Sequence, residues 1–150
     1  MNPTEKGQLA KQVFEEGYNC AQSVLIAFCD ETGLTREQAA RLASTFGGGM
    51  GRMREVCGAV SAMFMVEGLL RGYSDPKAKE EKSAAYARVR ALADRFREQN
   101  HSIICRDLII ETETTPGNEP EARTKEYYER RPCGSYVADA ARILAEELGA

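Results

Sequence analysis

Five cysteines are spread along this 150-residue chain, yet no two of them form a CxxC pair. That absence excludes the ordinary zinc-finger and thioredoxin motifs. Histidine is almost missing. His101 is the only one, four residues before Cys105. On a continuous helix the two would share a face, and His101 would serve as metal ligand or base. Its "REQN" setting near a predicted helix end favours a solvated histidine instead. Long hydrophobic runs are missing too. The most apolar stretch, "VCGAVSAMFMVEGLL", is interrupted by Glu67 and is too short to cross a bilayer. The N-terminal "MNPTEKGQLAKQ" has no apolar run of signal-peptide type. Finally, neither sign of charge dominates. A formal net charge of −3 gives no electrostatic case for nucleic acid or an acidic membrane surface. The expectation is a cytoplasmic protein. In that reducing setting thiols serve as redox, metal or catalytic groups more often than as structural disulfides.

What is present reads as a globular chain. Hydrophobic residues make up 43% and charged residues 29%, enough for one domain over residues 1–150 with a real core. Almost every segment carries helical periodicity. Residues 4–16 place Leu9, Val13 and Phe14 on one face, and Gly17 ends that helix. Asn19 caps a helix over 20–31, and Thr35 caps a third with Glu37 and Gln38 in its first turn. A fourth helix holds Cys57 and ends near Gly72. The fifth and longest, about 77–99, carries Ala85, Val89, Leu92 and Phe96 on one face. "SIICRDLII" reads as a helical turn or two, or a stray strand without a partner. "ETETTPGNEPEART" is a loop, Tyr127 and Tyr128 belong to a short helix, and "RPCGSYVADAARILAEELG" closes the chain as an amphipathic helix. The predicted fold is all-α, a compact bundle of five to seven helices.

Three glycines in a row, Gly47, Gly48 and Gly49, interrupt this pattern in "FGGGMGRMREVCGA". Backbone N–H groups near a helix start bind anions, so the run is a candidate phosphate or cofactor cradle, with Arg52 or Arg54 as the contacting charge. It lacks the Lys-Ser/Thr ending of a P-loop and the strand that precedes a Rossmann turn. A tight turn that lets backbones approach closely is the favoured reading.

Three cysteines precede small residues, in "CAQSV", "CGAVS" and "CGSYV". A small neighbour leaves room beside the sulfur for another chain, a substrate or a metal. Cys20 and Cys133 fall at predicted helix starts, where free N–H groups and the helix dipole favour a thiolate. Arginines lie near the others in sequence: Arg54 before Cys57, Arg106 after Cys105, and Arg130 and Arg131 before Cys133. Cys29 stands apart. On one helix with Cys20 it would point to the opposite side, roughly 13 Å away at 1.5 Å per residue. The two would be too distant for a disulfide, so Cys29 is assigned to packing. Met50, Met53, Met63 and Met65 suggest a soft-metal site, but Met63 and Met65 read as core filler.

"YNCAQSVLIAF", "ASTFGGGMGRMREVCGAVSAMFM", "SIICRDLI" and "CGSYVADAARIL" together resemble the redox-active family named after its cysteine pattern, C_GCAxxG_C_C. Position by position, Cys20, Cys57, Cys105 and Cys133 match the four family cysteines and Cys29 matches none. Ala62 stands where the pattern has a glycine after "CGA". The resemblance implies a redox role.

Three readings follow. In the first, Cys20, Cys57, Cys105 and Cys133 cluster in a small oxidoreductase or electron carrier with an unknown redox partner. They either hold an iron–sulfur cluster or zinc, or cycle between dithiol and disulfide. In the dithiol version Cys20 or Cys133 is the nucleophile, and the glycine loop delivers Cys57 as its partner. In the second, the four cysteines hold structural zinc in a binding module. In the third, they are merely buried in a helical scaffold or homodimer.

Overall fold

Asn2, Asn19 and Thr35 each open a helix with a reciprocal cap, because a glutamate or glutamine three residues on returns the hydrogen bond. In the computed structural model, which describes residues 1–112 and 114–149, these caps start α1 (Pro3–Glu15), α2 (Cys20–Ala27) and α4 (Arg36–Ala43). Between α2 and α4 lies the short α3 (Cys29–Thr32). Then come α5 (Gly58–Arg71), α6 (Lys79–Asn100), α7 (Cys105–Leu108), α8 (Lys125–Arg130) and α9 (Cys133–Glu147). The all-α expectation holds, but the described residues form nine α-helices rather than five to seven.

The surplus comes from short helices. The predicted helix over 20–31 breaks at Phe28, where φ −107° and ψ 18° leave the helical region, and Gly33 stops α3 at φ 80°. Phe28 is driven inward and is 1% exposed. Its ring lies 4.8 Å below the Lys6 ammonium, which donates to the Ala27 carbonyl and to Glu31. That buried cation satisfies the end of α2, which has no basic residue in its own last turn.

α2 is the central element, touching α1, α4, α5 and α9, while α1 lies along α9. Val24, Leu25, Val60, Val66, Phe96, Ile143 and Leu144 are buried in one cluster contributed by α2, α5, α6 and α9. Gly7 permits the α1–α9 approach, since a Cβ there would sit 2.8 Å from the Ala138 carbonyl oxygen. Ala62, the departure from the family pattern, is fully buried in α5. No described helix is long and apolar enough to cross a membrane.

Candidate functional site

The segment before Cys57 and the segment before Cys105 zip together antiparallel. The Cys57 N–H donates to the Ile103 carbonyl at 2.8 Å, the Cys105 N–H to Glu55 at 2.6 Å, and the Arg106 N–H to Arg54 at 3.3 Å. Val56 and Ile104 form the bridge between them. "SIIC" therefore does have a partner, the "EVC" end of the glycine loop. The pairing brings the starts of α5 and α7 side by side across a long sequence gap.

The glycine loop is the hub of this arrangement. Gly48, Gly49, Met50, Gly51 and Arg52 run consecutively at positive φ, and Arg54 follows at 61°. Such a backbone costs a non-glycine residue about 1–2 kcal/mol. Cross-loop bonds hold it in place: Gly51 donates to Thr45, Arg54 to Gly48 and Glu55 to Gly49. Gly47 packs on the side chain of Asn19, the cap of α2, where an added Cβ would meet Nδ2 at 2.6 Å. A Cβ on Gly49 would lie 2.6 Å from that of Cys105. One loop thus touches the elements that carry Cys20 and Cys105 and leads into Cys57.

Cys20, Cys105 and Cys133 are the first residues of α2, α7 and α9, and Cys57 is the residue before α5. All four line one cavity of about 340 Å³, together with Gly47, Gly48, Gly49, Arg52 and Arg54. Cys29 is not among its lining residues and packs against the core from α3. His101 is exposed at the C-terminal end of α6 in a left-handed conformation, so the shared helical face with Cys105 does not form. All five cysteines are free thiols. Among the described residues, no three Cys, His, Asp or Glu side chains are grouped to hold one metal ion.

The four thiols differ sharply. Cys133 is pulled down to about 6, first by the neighbouring Cys20 side chain and then, against its burial, by the positive charges of Arg131 and Arg123. Cys20 moves the other way, well above the ordinary thiol range, through the neighbouring Cys133 side chain, its own burial and repulsion from that sulfur's charge. Burial pushes Cys57 up to about 12, although the backbone N–H groups of Val60 and Ala59 point at its sulfur. Cys105 also rises through burial, opposed by the Arg54 guanidinium at 3.7 Å. Of the two helix-start cysteines expected to ionise readily, only Cys133 does so. The sequence neighbours Arg106 and Arg130 turn away, to Glu55 and Glu121.

Residues without a sequence signature complete the cavity. The loop after α7 contributes Asn118, Pro120 and Glu121, and α8 and α9 contribute Tyr127 and Tyr136. Arginines tie this loop down. Arg52 donates to the carbonyls of Thr115, Gly117 and Glu119. Arg131 pairs with Glu121 and lies 5.0 Å from the Tyr127 ring. Arg123 donates to the Tyr18 carbonyl and stacks 4.7 Å from both Phe14 and Tyr127. Such aromatic–arginine contacts arise only from tertiary packing. The one local hint is the interleaving of tyrosines and arginines between Arg123 and Arg131.

No match was found among curated proteins or among solved structures. A family model described as "Putative redox-active protein (C_GCAxxG_C_C)" matches residues 18–147, which include all four cavity cysteines. The chain belongs to the C_GCAxxG_C_C family.

Proposed function

We propose that this protein is a dithiol–disulfide redox protein in which Cys133 is the attacking thiolate and Cys20 the resolving thiol. The observation that carries this reading is that Cys20 and Cys133, the first residues of α2 and α9, line one cavity, where Arg131 and Arg123 help to draw the Cys133 thiol down to about 6. A thiolate, not a thiol, attacks a disulfide, and its reactivity is greatest when its pKa lies near the ambient pH. The family description supports a redox role in general terms.

The reaction is a two-electron exchange. The Cys133 thiolate attacks one sulfur of a substrate disulfide, forming a mixed disulfide and expelling a thiolate that takes up a proton. Cys20 then loses its proton and attacks the Cys133 sulfur. The Cys20–Cys133 disulfide forms and the second substrate thiol leaves. The substrate gains two electrons from the pair and two protons, one from Cys20 and one from solvent, and a cellular dithiol restores the reduced pair. Cys57 and Cys105 stay protonated and line the same cavity. The glycine run and Arg52 shape the cavity and strap its loop.

The iron–sulfur and zinc readings ask the four sulfurs to act as ligands, which requires thiolates. Among the described residues no three ligand side chains are grouped to hold one ion. No step is therefore routed through a metal.

Mass spectrometry of the anaerobically purified protein tests the reading. Mild oxidation should remove two hydrogens, and peptide mapping should locate the bond between Cys20 and Cys133. Stoichiometric iron or zinc, or a bond between other cysteines, would replace this reading.

A further inference from the structure

Among the described residues, the walls of the cavity carry Arg52, Arg54, Arg123 and Arg131 against a single carboxylate, Glu121. This local excess of positive charge stands in a chain whose formal net charge is −3, so it is not a reflection of overall composition. Most of the guanidinium donors are in use. Arg52 is occupied by loop carbonyls, Arg123 by the Tyr18 carbonyl and its aromatic neighbours, and Arg131 gives one nitrogen to Glu121. Two donors are left over. Nη2 of Arg54 and Nε of Arg131 are both buried and have no hydrogen-bond partner among the described residues. Arg131 is only 9% exposed. Buried guanidinium N–H groups are normally satisfied, and leaving them unmade is costly. An arginine pair with free donors beside a reactive sulfur has the chemistry to receive an oxyanion.

We propose that the cavity recognises a small anionic disulfide, whose carboxylate or equivalent oxyanion is held by Arg54 and Arg131 while its sulfur reaches Cys133. This inference rests on the dithiol reading above and adds the substrate class. The volume, about 340 Å³, lies at the low end of small-molecule sites and is too small for a folded partner's disulfide loop to enter. Its arginines lie close to the sulfurs: Arg54 contacts Cys105, and the charge of Arg131 acts on Cys133. A short acid with its charge a few bonds from the S–S group suits a cavity that sets guanidinium groups beside its thiols, and a cationic one meets repulsion.

Three disulfides with the same two-carbon arms separate charge from intrinsic reactivity: 3,3′-dithiodipropionate, bis(2-hydroxyethyl) disulfide and cystamine. The reduced protein is mixed with each, and formation of its disulfide is followed by quenching and mass spectrometry. The dianion should oxidise the protein about tenfold faster than the neutral compound and faster still than the dication, with the advantage shrinking as salt is raised. In Arg54→Gln the ratio of anionic to neutral rates should collapse, and in Arg54→Lys it should be partly retained. Equal rates for the three, or cystamine fastest, overturn the inference while leaving the dithiol reading standing. If none of them oxidises the Cys20–Cys133 pair, the dithiol reading fails. Binding then decides the anion site on its own, through the melting temperature of Cys133→Ser. That variant should be stabilised by dithiodipropionate and not by cystamine. No stabilisation overturns the anion site.

Discussion

Gly58, which follows Cys57, rests directly on Ala21, which follows Cys20. A Cβ on Gly58 would lie 3.0 Å from the Ala21 backbone nitrogen and 2.9 Å from the Phe46 carbonyl oxygen. The small residues after these two cysteines are therefore where α2 and α5 meet, and the sulfurs approach because nothing larger stands between their helix starts.

Gly58→Ala should be destabilising by about 1–3 kcal/mol, since backbone must move to admit the methyl group. Gly134, the glycine after Cys133, makes a contrast. Its nearest contacts would be side-chain carbons of Lys11 and Phe14 at 3.6 Å, which is ordinary packing. Gly134→Ala should be neutral or stabilising by up to about 1 kcal/mol, as expected inside a helix. Urea midpoints of the two variants check the pair. Equal effects would mean that the α2–α5 contact is not the constraint described.

Reactivity should separate the thiols by pH. Alkylation of Cys133 by iodoacetamide should rise with a midpoint near 6, and Cys57 should stay unreactive far above neutrality. Stability follows the same groups with opposite signs. The Cys133 value is depressed from 9.0, so its contribution is complete above pH 9 and is lost as pH falls from 9 towards 6. The Cys57 value is raised, so its contribution is complete below pH 9 and is lost as pH rises from 9 towards 12. Denaturant midpoints across pH for the wild type, Cys133→Ser and Cys57→Ser should show each slope disappear with its thiol.

Arg131→Met should raise the pH midpoint of Cys133 alkylation by on the order of one unit, because a nearby positive charge is removed. It should also cost about 1–3 kcal/mol, because Glu121 loses one of its two arginine partners and keeps only Arg130. Adding Glu121→Leu should recover much of the stability but not the alkylation midpoint. If the midpoint also returns, Arg131 acts on Cys133 only through the loop.

Arg52→Ala should free the loop that carries Thr115, Gly117 and Glu119, whose carbonyls it holds. Limited proteolysis should then cut near these residues at low protease concentrations that leave the wild type intact. Retained resistance would assign the strapping of the loop to Arg123 and Arg131 alone.

Lys6→Met is a control away from the cavity. It removes the donor to the Ala27 carbonyl and the partner of Glu31, and should cost about 1–3 kcal/mol. The alkylation profile of Cys133 should not move.

Features set by near neighbours are legible in the sequence. Asn19 and Thr35 announce their helices because a cap and its reciprocal residue lie within four positions. The glycine run announces a backbone that side chains resist, and Gly48, Gly49 and Gly51 do take positive φ. What the sequence hides depends on contacts between distant segments. Phe28 breaks its helix to reach the core beneath Lys6, and nothing in "LIAFCDE" marks that choice. "SIIC" offers too few residues to declare a strand until "EVC" lies beside it. The glycine loop makes Cys57 the natural partner for a helix-start thiolate. In the fold the loop ties Cys57 to the Cys105 segment, while the starts of α2 and α9 bring Cys20 and Cys133 to the same cavity. That arrangement depends on how distant helices pack, and sequence spacing holds no trace of it.

Cys20 and Cys133 lie near opposite ends of the family-matched region, about 110 residues apart. A bond between them would tie almost the whole chain into a ring, shrinking the unfolded ensemble by about 4–5 kcal/mol of loop entropy. Oxidation state would then be written into the melting curve, the oxidised protein unfolding later than the reduced one. The relation also runs in reverse. Whatever free energy the ring lends to the fold, the fold lends back to the ring, lowering the potential at which the pair gives up its electrons. Loop closure alone would make the folded pair a stronger reductant than two thiols on a loose chain, a driving force that comes from the whole bundle, while the thiolate at Cys133, by stabilising the reduced form, pulls the potential the other way.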